Sequence, residues 1–167
     1  MSLERRSTAA REAVKRFREM IEPLKVDASA LLIDQLAYTV HSSMEDGRWR
    51  DALDAAARMA RPLGEVICVC MARSMLAEAE RIFTLTFPQW LENRLKHSQR
   101  AVEGDTRSVL LAAEKLRKQS YRDEGIPYGY VQPLMDAAVH LIQSATMHAS
   151  LLTMRKQFNY AYGRKVV

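Results

Sequence analysis

The chain is short of residues that break helices. Its 167 residues hold six glycines and five prolines, and most of them fall where helices should end, as at Pro23, Gly47, Pro88 and Gly104. That scarcity argues for an all-α domain. Cysteine is scarcer still. Cys68 and Cys70 are the only two, which argues against a disulfide framework. On a helix, residues two apart point about 200° from each other, so both thiolates cannot hold one ion. Two buried small side chains are expected there instead. The glycine-rich phosphate loop, the dinucleotide fingerprint, the zinc-protease helix and the nucleophile elbow are all missing. No run of about twenty residues lacks polar groups. Residues 132–154 come closest, but Asp136, Gln143, Ser144, Thr146, Ser150 and two histidines make them a poor membrane span. Charge begins at Glu4 with no apolar stretch behind it, so neither a secretory leader nor a membrane span is expected, and the chain reads as soluble.

What the chain does have is apolar helical pattern. Apolar residues make up 48% of it, enough for one domain with a real core. Residues 132–154 organise the rest. Leu134, Ala138, Leu141, Ala145, His148 and Leu152 recur at steps of three and four, one helical face. Met135, Val139, Ile142, Ala149 and Met154 widen it nearly all round. A helix of that kind is buried on most sides, inside its own bundle or against another subunit.

Taken in order, a first helix runs to about Ile21, with Ala10, Val14, Phe17 and Ile21 as its apolar stripe, and Pro23 stops it. Asp27 caps a second helix, 28–45, whose only charge up to Met44 is Asp34. Leu32, Leu36, Val40 and Met44 share one face, and Leu31, Tyr38 and His41 broaden it. A short helix, 48–59, turns Trp49, Leu53, Ala56 and Ala57 inward. Pro62 starts another, to about 83. Helices over 88–102 and 105–122 follow, separated at Gly104. The second of these has Val109, Leu110, Ala113 and Leu116 as its core face. Residues 123–130 read as an ordered, Tyr-containing loop, and Pro133 opens the central helix. The expectation is a single-domain bundle of about six to seven helices spanning 1–167. A basic N-terminal helix (2–22) and a basic, aromatic C-terminal tail (155–167) form its ends, and no internal repeat is present.

The net charge of +5 is concentrated at those ends. Arg5, Arg6, Arg11, Lys15 and Arg18 lie on the first helix. Arg155, Lys156, Arg164 and Lys165 lie beyond Met154 with no acid among them. Arg117 and Lys118 add a third cluster. Basic ends on a near-neutral body suit a polyanion, above all nucleic acid. These cations are the expected phosphate contacts, which carry no sequence information. Phe158, Tyr160 and Tyr162 alternate among them, and in an extended tail they would project to one side for stacking on bases. Alternatively, Phe158 and Tyr162, four apart, continue the last helix and dock on the core. Asp136 and His140, one turn apart, could position a general base. No nucleophile accompanies them, and a hydrogen-bonded helical pair is the expected reading. No enzyme activity, cofactor or metal is expected.

The basic helix ERRSTAAREAVKRFRE, the apolar helices over 28–44 and 132–154, and the tail RKQFNYAYGRK together form a chain plan. In that plan the protein resembles the major capsid proteins of filamentous archaeal DNA viruses. The resemblance is architectural and rests on no signature motif. It implies a virion coat subunit that self-associates, often beside a second related coat protein, around double-stranded DNA in an A-like form. Nine methionines, two cysteines and four histidines depart from a coat suited to very hot habitats. Three other readings compete: a cytoplasmic RNA-binding subunit of an RNA-guided interference complex, a protein–protein adaptor, and a ligand-binding enzyme or regulator using Asp136 and His140.

Overall fold

The computed structural model describes residues 2–82, 86–120 and 128–163. These form five α-helices and no strand: α1 (Leu3–Ile21), α2 (Asp27–Glu45), α3 (Trp49–Arg81), α4 (Phe87–Ser120) and α5 (Tyr128–Gly163). The all-α class holds, but the expected six to seven helices become five because two breakers do not break. Pro62 lies inside α3 and is itself buried. Gly104 lies inside α4. A proline in a helix interior costs about 3 kcal/mol and a glycine about 1. Packing on both sides offsets the proline, since Ala52, Ala55, Ile67 and Val69 are buried around it, whereas the buried residues of α4, Phe87, Leu91, Leu95 and Ser98, all precede Gly104, whose smaller cost the helix absorbs. α3 lies along α2 and α5, and α4 runs antiparallel along α5.

Gly47 does end a helix. It takes φ +71°, the left-handed region that glycine adopts without strain. Arg48 N donates to Ser43 O at 2.7 Å and Gly47 N to Met44 O at 3.1 Å, the paired bonds of a Schellman cap. This turn folds α2 back on α3, and Ser29 Oγ then reaches Glu65 Oε2 at 2.6 Å.

α5 packs against α1, α3 and α4 as the expected organiser, but not through the expected face: Ala145, Ala149 and Leu152 are exposed, and Ser144, Ser150, Leu151 and Met154 are the buried positions. The core lies towards its C-terminal half. Val14, Phe17 and Ile21 of α1 meet Met75 and Ala79 of α3, Phe87 and Leu91 of α4, and Leu151 and Met154 of α5. The α1 stripe is buried as its spacing predicts, with Ala10, Val14, Phe17 and Ile21 all at 4% exposure or less. Partly buried ion pairs brace the same region. Arg18 Nε donates to Glu80 Oε1 at 2.8 Å, and Glu78 accepts from Trp90 Nε1 and Arg94 Nη2, both at 3.1 Å.

The other end is far less covered. α2 buries only Leu36 and Ser43. Trp49 and Leu53, expected inside, are exposed, and Ala52 and Ala55 face the core instead. Leu110, assigned to the core face of its helix, is also exposed. The thiols correct a further expectation: Val69 is buried, while Cys68 and Cys70 on either side of it are exposed. One alternating position inward sends both neighbours outward.

Candidate functional site

The two basic segments, 150 residues apart in the chain, come together. α1 packs on the C-terminal turns of α5, which remain helical to Gly163. The extended-tail alternative is therefore replaced by the helical one through Gly163; Arg164 and Lys165 lie outside the described residues. Phe158 is partly buried at 5.5 Å from the Phe87 ring, and Tyr162 stacks on Phe158 at 5.8 Å. These two aromatics serve the core. Tyr160 points the other way and is 47% exposed. Arg5 lies over the Tyr162 ring at 5.9 Å and Arg16 over Tyr160 at 4.9 Å, within cation–π range. Arg16 was absent from the expected contacts. Its place in the basic run of the first helix was the signal that could have included it.

The expected phosphate contacts do not all remain available. Arg18 is bonded to Glu80, Lys15 lies 3.9 Å from Glu19, and Arg155 lies 3.8 Å from Glu92. Arg117 and Lys118 both pair with Glu114. Arg117 also lies thirty positions along α4 from Phe87, about 45 Å away at helical rise, so that cluster does not join the others. Arg6, Arg11 and Lys156 are exposed and make no ion pair with a described residue. Among the described residues of the expected set, Arg5 also makes no ion pair, but it lies over the Tyr162 ring, which leaves these three as the cations without a partner there.

The catalytic candidates do not assemble. Asp136 accepts from Gln132 Nε2 at 2.7 Å instead of from His140, one turn the other way, and both Asp136 and His140 are exposed. His148 Nδ1 is 2.7 Å from Ser98 Oγ. That serine is buried between α4 and α5 and also bonds the Leu95 carbonyl at 3.0 Å, which makes the pair a helix clamp. Cys68 Sγ sits 3.1 Å from Thr146 Oγ1. Among the described residues no group of three His, Cys, Asp or Glu could hold a metal ion, and no helix is long and apolar enough to cross a membrane.

One concavity of the described residues is almost wholly apolar. A groove of about 340 Å³ runs between α3 and α5, lined by Leu53, Met59 and Leu63 from one and Met135, Val139 and Ile142 from the other, with alanines between them. A second hollow of about 360 Å³ joins it through Met59 and Met135 and extends to Val40 and Met44 of α2. The apolar breadth of α5 is thus only half used within the chain. No family profile, curated protein or solved structure matches this sequence.

Proposed function

We propose that this chain is a structural subunit that lays its basic end against a nucleic acid and holds its place by packing apolar helices on neighbouring protein. The observation that carries the reading is the convergence of α1 with the end of α5. It brings together two helices that carry Arg6, Arg11 and Lys156, none of which makes an ion pair with a described residue, and it sets Arg16 over an exposed Tyr160 one turn beyond Lys156. Cations around an exposed aromatic suit a phosphate backbone with a base or sugar edge next to it. A double-stranded DNA duplex in a filamentous coat, with the second coat protein that the resemblance implies, is the finer form of this reading and rests on the chain plan.

The free cations make the reading quantitative. Each neutralised phosphate contributes a slope of about −0.9 to log K against log salt on duplex DNA. The three cations Arg6, Arg11 and Lys156 together contribute about −3 to that slope. Fluorescence anisotropy with a labelled duplex between 50 and 300 mM salt measures it. The triple variant Arg6→Ala, Arg11→Ala, Lys156→Ala should flatten the slope, while Lys118→Ala should leave it unchanged. A slope near zero in the unaltered protein overturns the proposal. The adaptor reading is favoured by a separate observation, the open apolar groove, and such a protein would show no salt-dependent binding to nucleic acid.

A further inference from the structure

We infer that the outer face of α2 docks on the outer face of α4 in a second copy of this chain, and that copies join head to tail through this contact. The inference rests on the subunit reading only in assuming self-association; it does not depend on nucleic acid.

The order of the helices sets the geometry. α2 packs chiefly on α3, α3 on α5 and α5 on α4, so α2 and α4 form opposite flanks of the molecule. Leu36 and Ser43 are buried on the side of α2 turned to α3. The other side carries Asp27, Leu31, Asp34, Tyr38 and Glu45 at helical steps, all exposed, with Leu31 at 60% and Tyr38 at 77%. On α4, Leu91, Leu95 and Ser98 are buried, and the opposite side carries Lys96, Arg100, Arg107, Leu110 and Leu111. Its two leucines are 64% and 65% exposed. Each flank is thus a helical ridge of large apolar side chains set among charges, with little cover from its own chain.

Charge chooses the occupant. α2 holds three acids and no lysine or arginine. Asp27 and Asp34 make no ion pair with a described residue, and Glu45 lies 3.5 Å from His41 Nδ1. On α4, Lys96, Arg100 and Arg107 make no ion pair with a described residue either. Two acids share that ridge. Glu114 is neutralised by Arg117 and Lys118, and Glu103 accepts from Gln99 Nε2 at 3.4 Å, so the ridge stays positive. Unpaired carboxylates around Leu31 and Tyr38 therefore meet unpaired cations around two leucines, and mixed surfaces of opposite charge specify each other.

Register agrees with charge. Asp27 and Asp34 are seven residues apart, as are Arg100 and Arg107, about 10.5 Å along a helix in each case. Contacts inside the chain fix the relative heights of the helices. Ser29 bonds Glu65, Trp49 and Leu53 share a hollow with Val131, Cys68 lies against Thr146, and Ser98 bonds His148. α3 and α5 therefore run one way, and α2 and α4 run the other. Followed across the molecule, these contacts bring Asp27 level with the Arg100 turn of α4. A second copy set alongside, with no shift along the helix axes, then has α2 parallel to α4. Asp27 meets Arg100, Asp34 meets Arg107, and Tyr38 meets Leu110 and Leu111. Leu31 falls between the aliphatic stems of the two arginines. A contact between opposite flanks cannot be returned by the same neighbour, so assembly continues past the dimer into a row or a ring. α2 has 19 residues, about 28 Å of helix, and one helix pair of that length is at the small end of stable interfaces. Growth should therefore depend on concentration, and on salt through its charge pairs.

Sedimentation velocity of the full chain tests this, under reducing conditions because Cys68 and Cys70 are exposed. At low salt the average mass should rise with concentration past twice the 19.1 kDa chain mass, and it should fall at high salt. Asp34→Arg and Arg107→Asp should each stay monomeric with unchanged helical circular dichroism, since both positions are exposed and like charges then face each other. Mixed together, the two variants should assemble again, because every contact between unlike copies pairs opposite charges. The double variant should assemble by itself for the same reason. A monomer at about 100 μM in low salt, a mass that stops at the dimer, single variants that assemble like the unaltered chain, or a mixture and a double variant that both stay monomeric would each overturn the inference. The salt slope of the unaltered protein on duplex DNA separates the two proposals. A slope that persists where assembly fails loses only this inference, and a slope near zero with assembly intact loses only the nucleic-acid reading.

Discussion

Tyr162 shows how a side chain read as a ligand contact can belong to the core. Its ring stacks on Phe158 and lies under Arg5, and its hydroxyl is buried with no hydrogen-bond partner among the described residues. An unsatisfied buried hydroxyl costs about 1–3 kcal/mol. Tyr162→Phe should therefore raise stability by about 1 kcal/mol, read as a higher urea midpoint with unchanged m-value. Glu65 gives a second prediction at this scale. The Ser29 hydroxyl, and after it the Arg61 guanidinium, hold its carboxyl below the usual glutamate range. A folded pKa below the unfolded one adds stability above the unfolded value, and that stability is lost as pH falls through the folded value. The α2–α3 contact should accordingly loosen on acidification. Ser29→Ala should move the Glu65 carboxyl back towards its ordinary pKa in a carbon-detected NMR titration. An unmoved titration would mean that the hydroxyl does not set it.

At the scale of the helix, Pro62 and Gly104 separate local preference from context. Each marks a boundary by propensity, and each sits within a continuous helix. Gly104 has open space where a β-carbon would be, as does Gly64 in α3. Neither glycine is required by close approach, and neither takes positive φ. Gly64→Ala and Gly104→Ala should each stabilise the protein by about 0.5–1 kcal/mol, seen as a rise of a few degrees in Tm. The same substitution at Gly47, φ +71°, should destabilise, because only glycine holds that conformation without strain. α2 makes the complementary point. Its length is a local property and was legible, whereas its exposure was not, and the expected cap fails: Asp27 is the first helical residue, Val26 precedes it as the N-cap, and no side chain caps the helix.

At the scale of the whole molecule, the protein is well packed around the C-terminal half of α5 and open around the N-terminal half. The basic segments meet at the packed end. The apolar groove lies at the other, so binding a polyanion and packing on neighbouring protein need not compete. The triple cation variant should weaken duplex binding and leave the hydrodynamic size of the protein unchanged. Gel filtration and anisotropy on the same preparations check both.

The all-α class, the buried stripe of α1, the span of α2 and the organising role of α5 follow from the sequence alone. Each depends on spacing at three and four residues, which is local and repeats within one helix. The tertiary structure decided what needed a distant partner. It joined the halves of α3, because packing on both sides offsets Pro62, and it carried α4 through Gly104 at a cost of about 1 kcal/mol. It neutralised Arg18 with Glu80, 62 positions away, and left Arg6, Arg11 and Lys156 free. It also determined which apolar faces are covered, since a hydrophobic stripe specifies that something must lie against it but not what.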